Sequence, residues 1–525
     1  MKNLKYKILT IFTALLFTSC SQDFDEINRN PNNPEAVITS GIFNNATKTL
    51  MDNTRGSFPS GRMTLPWVQY SAQQNYTEED RFQFREGTND TFHAIMYTTA
   101  LNFKSIIELN TNPATKNQMS VYGDNDNQIA ASRIMLSYLF SILADTYGPI
   151  AYYSYGSTDE DFQALQSNKY IKPVYASQEK VYADILEELK KASNQIHTDK
   201  VVFTQGDNIF GGDALKWKKF ANSLRLRIAN RVKGVIPSAN AHITDAIASG
   251  VMTSNDDNAV QKYENTLTNS SPMFNSYFVG KRTDFKANNI FVDVLKGELA
   301  NFGVDPRLQK MIAPRTAVLD INGTEFIHTE SSNINDYEGM PYGITNAQTG
   351  AERAAKVSYW SKNVIKADFG EVLMEYSEVL FLLSEVNGWD DNYYRQGVRA
   401  SMQKWGVSTS DINTFVTNLP VANKANVLNQ KYIALFMQPQ EAYAEIRRTG
   451  YPSFLLKPGQ SYSLASGGTY TFTPLSPANY TLTEIPSRIT YPVSLQKLNP
   501  EGYSSGVTKL GANGDKLNTK LIWDN

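Results

Sequence analysis

Glu378 and Glu385 lie seven residues apart on one face of the segment Glu371–Asn387, with Glu371 and Glu375 just ahead of them. Paired carboxylates can act as the acid and the nucleophile of a glycoside hydrolase. The neighbours Val379, Leu380, Leu382 and Leu383 argue for the opposite role, because acids set among aliphatic side chains are buried and a buried acid requires a cationic partner. Arg447, Arg448 or an arginine of the 216–231 helix is expected to supply it, which makes Glu378, Glu385, Arg447 and Arg448 candidate structural ion pairs. The four histidines, His93, His197, His242 and His328, do not stand at metal-ligand spacing, and the chain has no His-Glu-x-x-His motif or cysteine pair. Asp124-Asn125-Asp126-Asn127 and Asn255-Asp256-Asp257-Asn258 offer oxygens suited to calcium. Both lack the later glycine and bidentate glutamate of a full calcium loop, so acidic turns are expected, with no metal and no cofactor.

Aromatic residues suit binding better than bond-making. Trp67, Tyr70, Tyr76, Phe82 and Phe84 crowd one early stretch, interleaved with Gln69, Gln73, Gln74 and Asn75, while Tyr337 and Tyr342 sit in a loop-rich region. Flat apolar rings flanked by amides fit sugar faces and peptide backbones alike. Trp67, Tyr70, Tyr76, Tyr337 and Tyr342 are therefore the candidate ligand contacts. Rings at 67 and 70 also fit a buried helix turn.

The remaining reactive group is Cys20, the only cysteine in 525 residues, so an internal disulfide is impossible. Lys2, Lys5 and Lys7 precede the apolar run Ile8–Phe17, followed by Thr18 and Ser19. That pattern reads as a secretory signal peptide over residues 1–19, too short for a membrane span of ~20 apolar residues. Cleavage before Cys20 leaves a thiol that can take a diacylglycerol, as in bacterial lipoproteins, whose signal this resembles. An ordinary cleaved signal with an accidental cysteine is the alternative. Asp23, Asp25 and Glu26 resemble the surface-export tag of Bacteroidetes-type lipoproteins, which implies an anchor on the outer leaflet; a solvated periplasmic spacer is the other reading.

These groups need a scaffold, and the periodicity describes one. Residues 20–38 form a polar, Pro-punctuated tether. Helices are expected over Gly41–Met51, Thr91–Leu109, Gln128–Asp145, Ser177–Ile196 and Asp213–Val232, then over Glu371–Asn387, Asn392–Trp405 and Gln430–Arg448. Residues 175–232 and 371–448 both read as antiparallel helix pairs of the kind that stack into a solenoid. The fold class is mainly α, with residues 39–525 as a single helical domain, loop-rich insertions at about 250–365 and 453–487, and a short strand near Arg488–Val493. Without residues 1–19 the chain carries 47 basic and 52 acidic groups, a balance that does not suggest nucleic acid as a partner.

Four segments together resemble the SusD/RagB family of outer-membrane lipoproteins, in its second, SusD-like branch. They are Ala144-Asp145-Thr146-Tyr147-Gly148-Pro149-Ile150, the run from Lys216-Trp217-Lys218-Lys219-Phe220 to Arg227, the run Glu375-Tyr376-Ser377-Glu378 to Glu385, and Glu441-Ala442-Tyr443-Ala444-Glu445-Ile446-Arg447-Arg448-Thr449-Gly450-Tyr451-Pro452. Asn30-Pro31-Asn32-Asn33-Pro34, Asn392-Tyr393-Tyr394 to Trp405-Gly406 and Arg488-Ile489-Thr490-Tyr491-Pro492 also fit, in order along the chain. The resemblance implies a tetratricopeptide-like scaffold, a SusC-like TonB-dependent transporter as partner, an oligosaccharide or peptide ligand, and membrane attachment by the lipid alone. It implies a non-enzymatic binding protein. A surface glycoside hydrolase, and a structural lid with no ligand of its own, stay open as alternatives.

Overall fold

The computed structural model describes residues 38–525. The leader, Cys20 and the tether through residue 37 lie outside the described residues. Among the described residues, six helices of ten residues or more open the fold: α1 (Thr39–Arg55), α2 (Glu86–Thr111), α3 (Asn125–Tyr147), α4 (Gln178–Gln195), α5 (Ala214–Val232) and α6 (Ala239–Ala248). Each packs against the next. Their starts are set by side chains: Asp124, Ser177 and Asp213 each accept a hydrogen bond from the amide three residues on, satisfying a donor that a helix start leaves free. Every residue of α3 from Asn127 to Tyr147 is buried, which explains its near-continuous apolar sequence, and Gly148 ends it at a φ of 87° that few side chains tolerate.

The second half repeats the device with α7 (Tyr376–Val386), α8 (Asp391–Lys404), α9 (Thr409–Asn418), α10 (Lys424–Ala434) and α11 (Pro439–Thr449), followed near the end by α12 (Pro500–Lys509). Helix α7 packs on α8 and α10 and also reaches back to α5, joining the two halves. The chain is thus mainly α, with few strands, and these pair antiparallel in twos: β1 (Ser71–Gln73) with β3 (Phe285–Ala287), β2 (Ala259–Gln261) with β6 (Glu371–Met374), β4 (Val318–Asp320) with β5 (Glu325–Ile327), and β7 (Ser461–Ser463) with β8 (Thr469–Thr471).

Three sequence expectations are corrected here. Glu371–Asn387 is not one helix, because its first four residues pair with β2 as strand β6. Gln430–Arg448 is two helices, since Pro439 lacks an amide and bars helical backbone just before itself, and Met437 takes a φ of 67°. Arg488–Val493 forms no strand; Ile489 donates its amide to the Thr146 carbonyl (2.9 Å) and Tyr491 to the Asp515 carboxylate (3.1 Å).

Where α3, α5, α7, α10 and α11 converge, five cations meet five carboxylates. Arg227 grips Glu378 (Nε to Oε1, 2.6 Å) and approaches Glu441 (3.5 Å). Arg231 bonds Asp145 (2.6 Å) and Glu441, and the Tyr182 hydroxyl donates to Asp145 (2.7 Å). Lys431 holds Glu445 (2.7 Å), Arg448 bonds both oxygens of Glu385 (2.8 Å each) and also Glu445, and Lys233 adds a contact to Glu385 (3.3 Å). Burial alone would raise the carboxyl of Glu445, but Arg448 and Lys431 hold it well below the usual range. Arg447 departs from expectation: it donates to the carbonyls of Tyr443 (3.0 Å), Ser487 (2.6 Å) and Asp145 (2.8 Å) and lies over the Tyr443 ring, so it ties backbone rather than a carboxylate.

Candidate ligand-binding site

Four of the five aromatic candidates are in the core. Trp67 packs on Phe82 and Tyr443 and gives its indole N–H to the Glu79 carbonyl (3.0 Å). Tyr70 stacks on Tyr432 with ring centroids 4.7 Å apart, Tyr342 lies against Phe472, and Tyr337 turns its hydroxyl to the Ser331 carbonyl (2.8 Å). None is more than 1% exposed, so no ring face is free for a ligand. Tyr76 is the exception, at 43% exposure.

The backbone that presents Tyr76 is strained. Between residues 69 and 82, Gln69 (φ 58°), Tyr76 (φ 61°) and Phe82 (φ 74°) all take left-handed conformations that side chains with a Cβ disfavour. Such strain costs on the order of 1–3 kcal/mol per residue and persists where surrounding contacts over-determine it. Here the contacts are polar and buried. The Asp80 carboxyl accepts from the amide of Gln73 (2.8 Å), and burial pushes it up to about 8. Asp284, from the loop leading into β3, accepts from Arg62 (3.1 Å), Arg282 (3.0 Å) and Asn75 (3.1 Å), while its carbonyl takes the Gln74 amide (2.8 Å). Pairing of β1 with β3 brings these two loops together across some two hundred residues of chain.

The result is a platform of rings and guanidiniums. Arg62 lies near both Phe58 (4.9 Å to the ring centre) and Tyr76 (4.4 Å), Arg282 also lies over Phe58 (5.0 Å), and Arg85 over Tyr76 (5.2 Å). Glu79 anchors Arg85 (2.8 Å) from beneath. Beside the platform, α1 and the start of α2 flank a cleft of about 570 Å³ whose walls include Asn53, Phe58, Phe92 and Ile95. On the other side Arg353 donates to the Asn75 side chain (3.0 Å), and the Lys286 ammonium lies 3.0 Å above the centre of the Tyr359 ring.

Chemically this surface can stack a flat apolar face and donate hydrogen bonds at its edge. Phe58, Arg62, Arg85, Arg282, Lys286 and Arg353 were not signalled by spacing, because the set is assembled by tertiary contacts: the β1–β3 pairing brings in Arg282 and Lys286, and bonds to Gln74 and Asn75 bring in Arg353. Phe58-Pro59, an aromatic in a turn where helix periodicity breaks, was the one local clue.

The hydrolase candidates are closed off. Glu378 is 1% and Glu385 9% exposed, and both are bonded to arginines. The acidic turns serve as caps: Asp124 caps α3 and binds Lys200 (2.9 Å), while Asp257 accepts from Lys219 (2.8 Å) and the Thr253 amide (2.8 Å).

A SusD-like family model, described as starch-binding associating with outer membrane, matches residues 31–492. Among solved structures, one titled a chitin-binding protein superposes with a TM-score of 0.70 at 23% identity, covering 93% of this chain and 100% of its own. A chitin-binding SusD homolog from Flavobacterium johnsoniae gives 0.70 at 22% identity, covering 92% and 98%. A SusD homolog from Parabacteroides distasonis gives 0.71 at 20%, covering 93% and 98%. At these identities the likeness speaks for the fold. No curated protein matches the sequence.

Proposed function

The chain belongs to the SusD-like family, whose model spans residues 31–492, and on that premise we propose that it is a surface lipoprotein of the outer membrane. In this reading it binds a nutrient, a glycan or a peptide, and delivers it to a partner SusC-like TonB-dependent transporter. The observation that carries the reading is the exposed pair Phe58 and Tyr76, 37% and 43% accessible, with arginines against both rings and Tyr76 held on left-handed backbone. Large exposed rings on rigid, strained backbone are retained where a ligand uses them. A pyranose presents C–H groups on one face and hydroxyls at its rim, which suits rings flanked by guanidinium and amide groups. Two of the structural relatives are described as chitin-binding, which supports a glycan over a peptide.

Binding of this kind needs no bond-making group, and the carboxylate pair Glu378 and Glu385 is occupied by Arg227 and Arg448. Cys20 supplies the anchor as a diacylglyceryl thioether, and the family's association with the outer membrane supports that placement. Titration calorimetry of the lipidated chain against chito-oligosaccharides, malto-oligosaccharides and a peptide panel tests the ligand. At least one glycan should release or absorb heat with a saturable curve, and Tyr76→Ala should weaken it. Flat titrations throughout, or steady release of shorter sugars, would overturn the reading.

A further inference from the structure

The platform around Tyr76 carries more positive charge than its own acids neutralise. Arg62, Arg85, Arg282, Arg353 and Lys286 gather there, whereas the acids bonded to them are Glu79 and Asp284, both beneath the surface and already accepting from several donors. Donors are left over at the rim. Arg85 spends only its Nε on Glu79, Arg282 one terminal nitrogen on Asp284, and Arg353 one terminal nitrogen on the Asn75 side chain and the Gln74 carbonyl.

Lys286 is the sharpest case. It is 94% buried on strand β3, and among the described residues no carboxylate lies within ion-pair range of its ammonium and no acceptor within hydrogen-bond range. Only the face of Tyr359 meets it. A cation largely withdrawn from water, with no counter-charge beside it, is costly unless something supplies one. Burial, with Arg353 close by, pushes the ammonium down to about 7. Arg353 is tied to the same platform through the Gln74 carbonyl and the Asn75 side chain, and Tyr359 faces Lys286 beside it.

Resting on the glycan-binding reading above, we propose that the ligand is an anionic saccharide whose carboxylate or sulfate group is taken by Lys286, Arg353 and Arg282 while a neighbouring sugar ring stacks on Tyr76. A guanidinium fork matches a carboxylate or sulfate edge in two parallel hydrogen bonds, and a ligand anion beside Lys286 supplies the counter-charge that the chain does not. The two anions share this chemistry.

The test uses the full-length protein and paired probes in calorimetry at low salt: an oligogalacturonide against its methyl-esterified form, and a sulfated dextran oligomer against plain dextran. The charged member of at least one pair should bind tenfold or more tightly, and which pair responds names the anion. Arg353→Gln, an exposed change, and Lys286→Met, which removes an unpaired buried charge, should each erase most of that difference without lowering the melting temperature. Equal affinity within both pairs, with Tyr76→Ala abolishing it, would overturn the anionic ligand and leave the glycan platform standing. Absence of binding to every saccharide would overturn both, and a charge preference untouched by either substitution would overturn the assignment to these residues.

Discussion

At the junction of α5, α7 and α11 the guanidiniums of Arg227, Arg231 and Arg448 meet carboxylates edge to edge, with little of either partner exposed. Around Phe58 and Tyr76 the same side-chain type lies against ring faces with part of its N–H edge unspent. In the first region five positive and five negative groups cancel, so the network has nothing left to offer a ligand and instead fixes how the two halves of the helical stack meet. In the second, strained backbone and a charge surplus are maintained at a solvent-facing surface. Charge content does not distinguish a clamp from a site; saturation does.

The comparison breaks first at the clamp. Arg231→Ala leaves Asp145 buried without its cation and Glu441 with only the longer contact to Arg227, and should destabilise the fold by about 3–5 kcal/mol in urea unfolding. A loss below about 1 kcal/mol would mean that the network is not what joins the halves.

Glu371 tests an imperfectly sealed acid. Its oxygens accept no hydrogen bond, Arg55 stands 3.8 Å away, and burial, opposed by Arg55, pushes the carboxyl up to about 8. The folded state therefore holds this proton more tightly than the unfolded chain, where the value is about 4.5. Stability should be full below about 4.5 and fall as pH rises to about 8, on the order of 1 kcal/mol per unit. Glu371→Gln should flatten that slope in thermal melts across the window.

Tyr76→Gly separates the two regions directly. Relief of the left-handed strain should offset the packing lost with the ring against Arg62 and Arg85, so stability should move by less than about 1 kcal/mol, while loss of the ring weakens glycan binding about tenfold, or about 1.4 kcal/mol. Arg85→Ala should do least: its bond to Glu79 is half exposed, so stability should move by less than about 0.5 kcal/mol, with a measurable loss of affinity at low salt that shrinks at high salt.

Much of the scaffold was legible in the chain because helix signals are local. Ser177 and Asp213 each bond the amide three residues on, Trp217, Phe220, Leu224 and Ile228 are buried along α5, and Gly148 ends α3, so the determinants of these helices act within a few residues of themselves. The break at Pro439 was available from the proline and was overridden by the surrounding periodicity. The helices α6, α9 and α12 are short, and their apolar faces are too brief for a periodic pattern to stand out. The candidate site was barely legible. Trp67 and Tyr70 drew attention as rings beside amides, but those amides bond backbone inside the core: Gln69 pairs with Leu456 through both its oxygen and its nitrogen. Burial of a ring depends on what packs over it, and for Tyr70 that is Tyr432, more than three hundred residues away.

A crystal structure of the protein with a bound oligosaccharide measures the central claim most directly. The account predicts a sugar ring stacked about 4 Å from the Tyr76 or Phe58 face, with a polar substituent at the Arg282–Arg353 edge. Sugar density lodged elsewhere, with the Tyr76 platform empty, would contradict it.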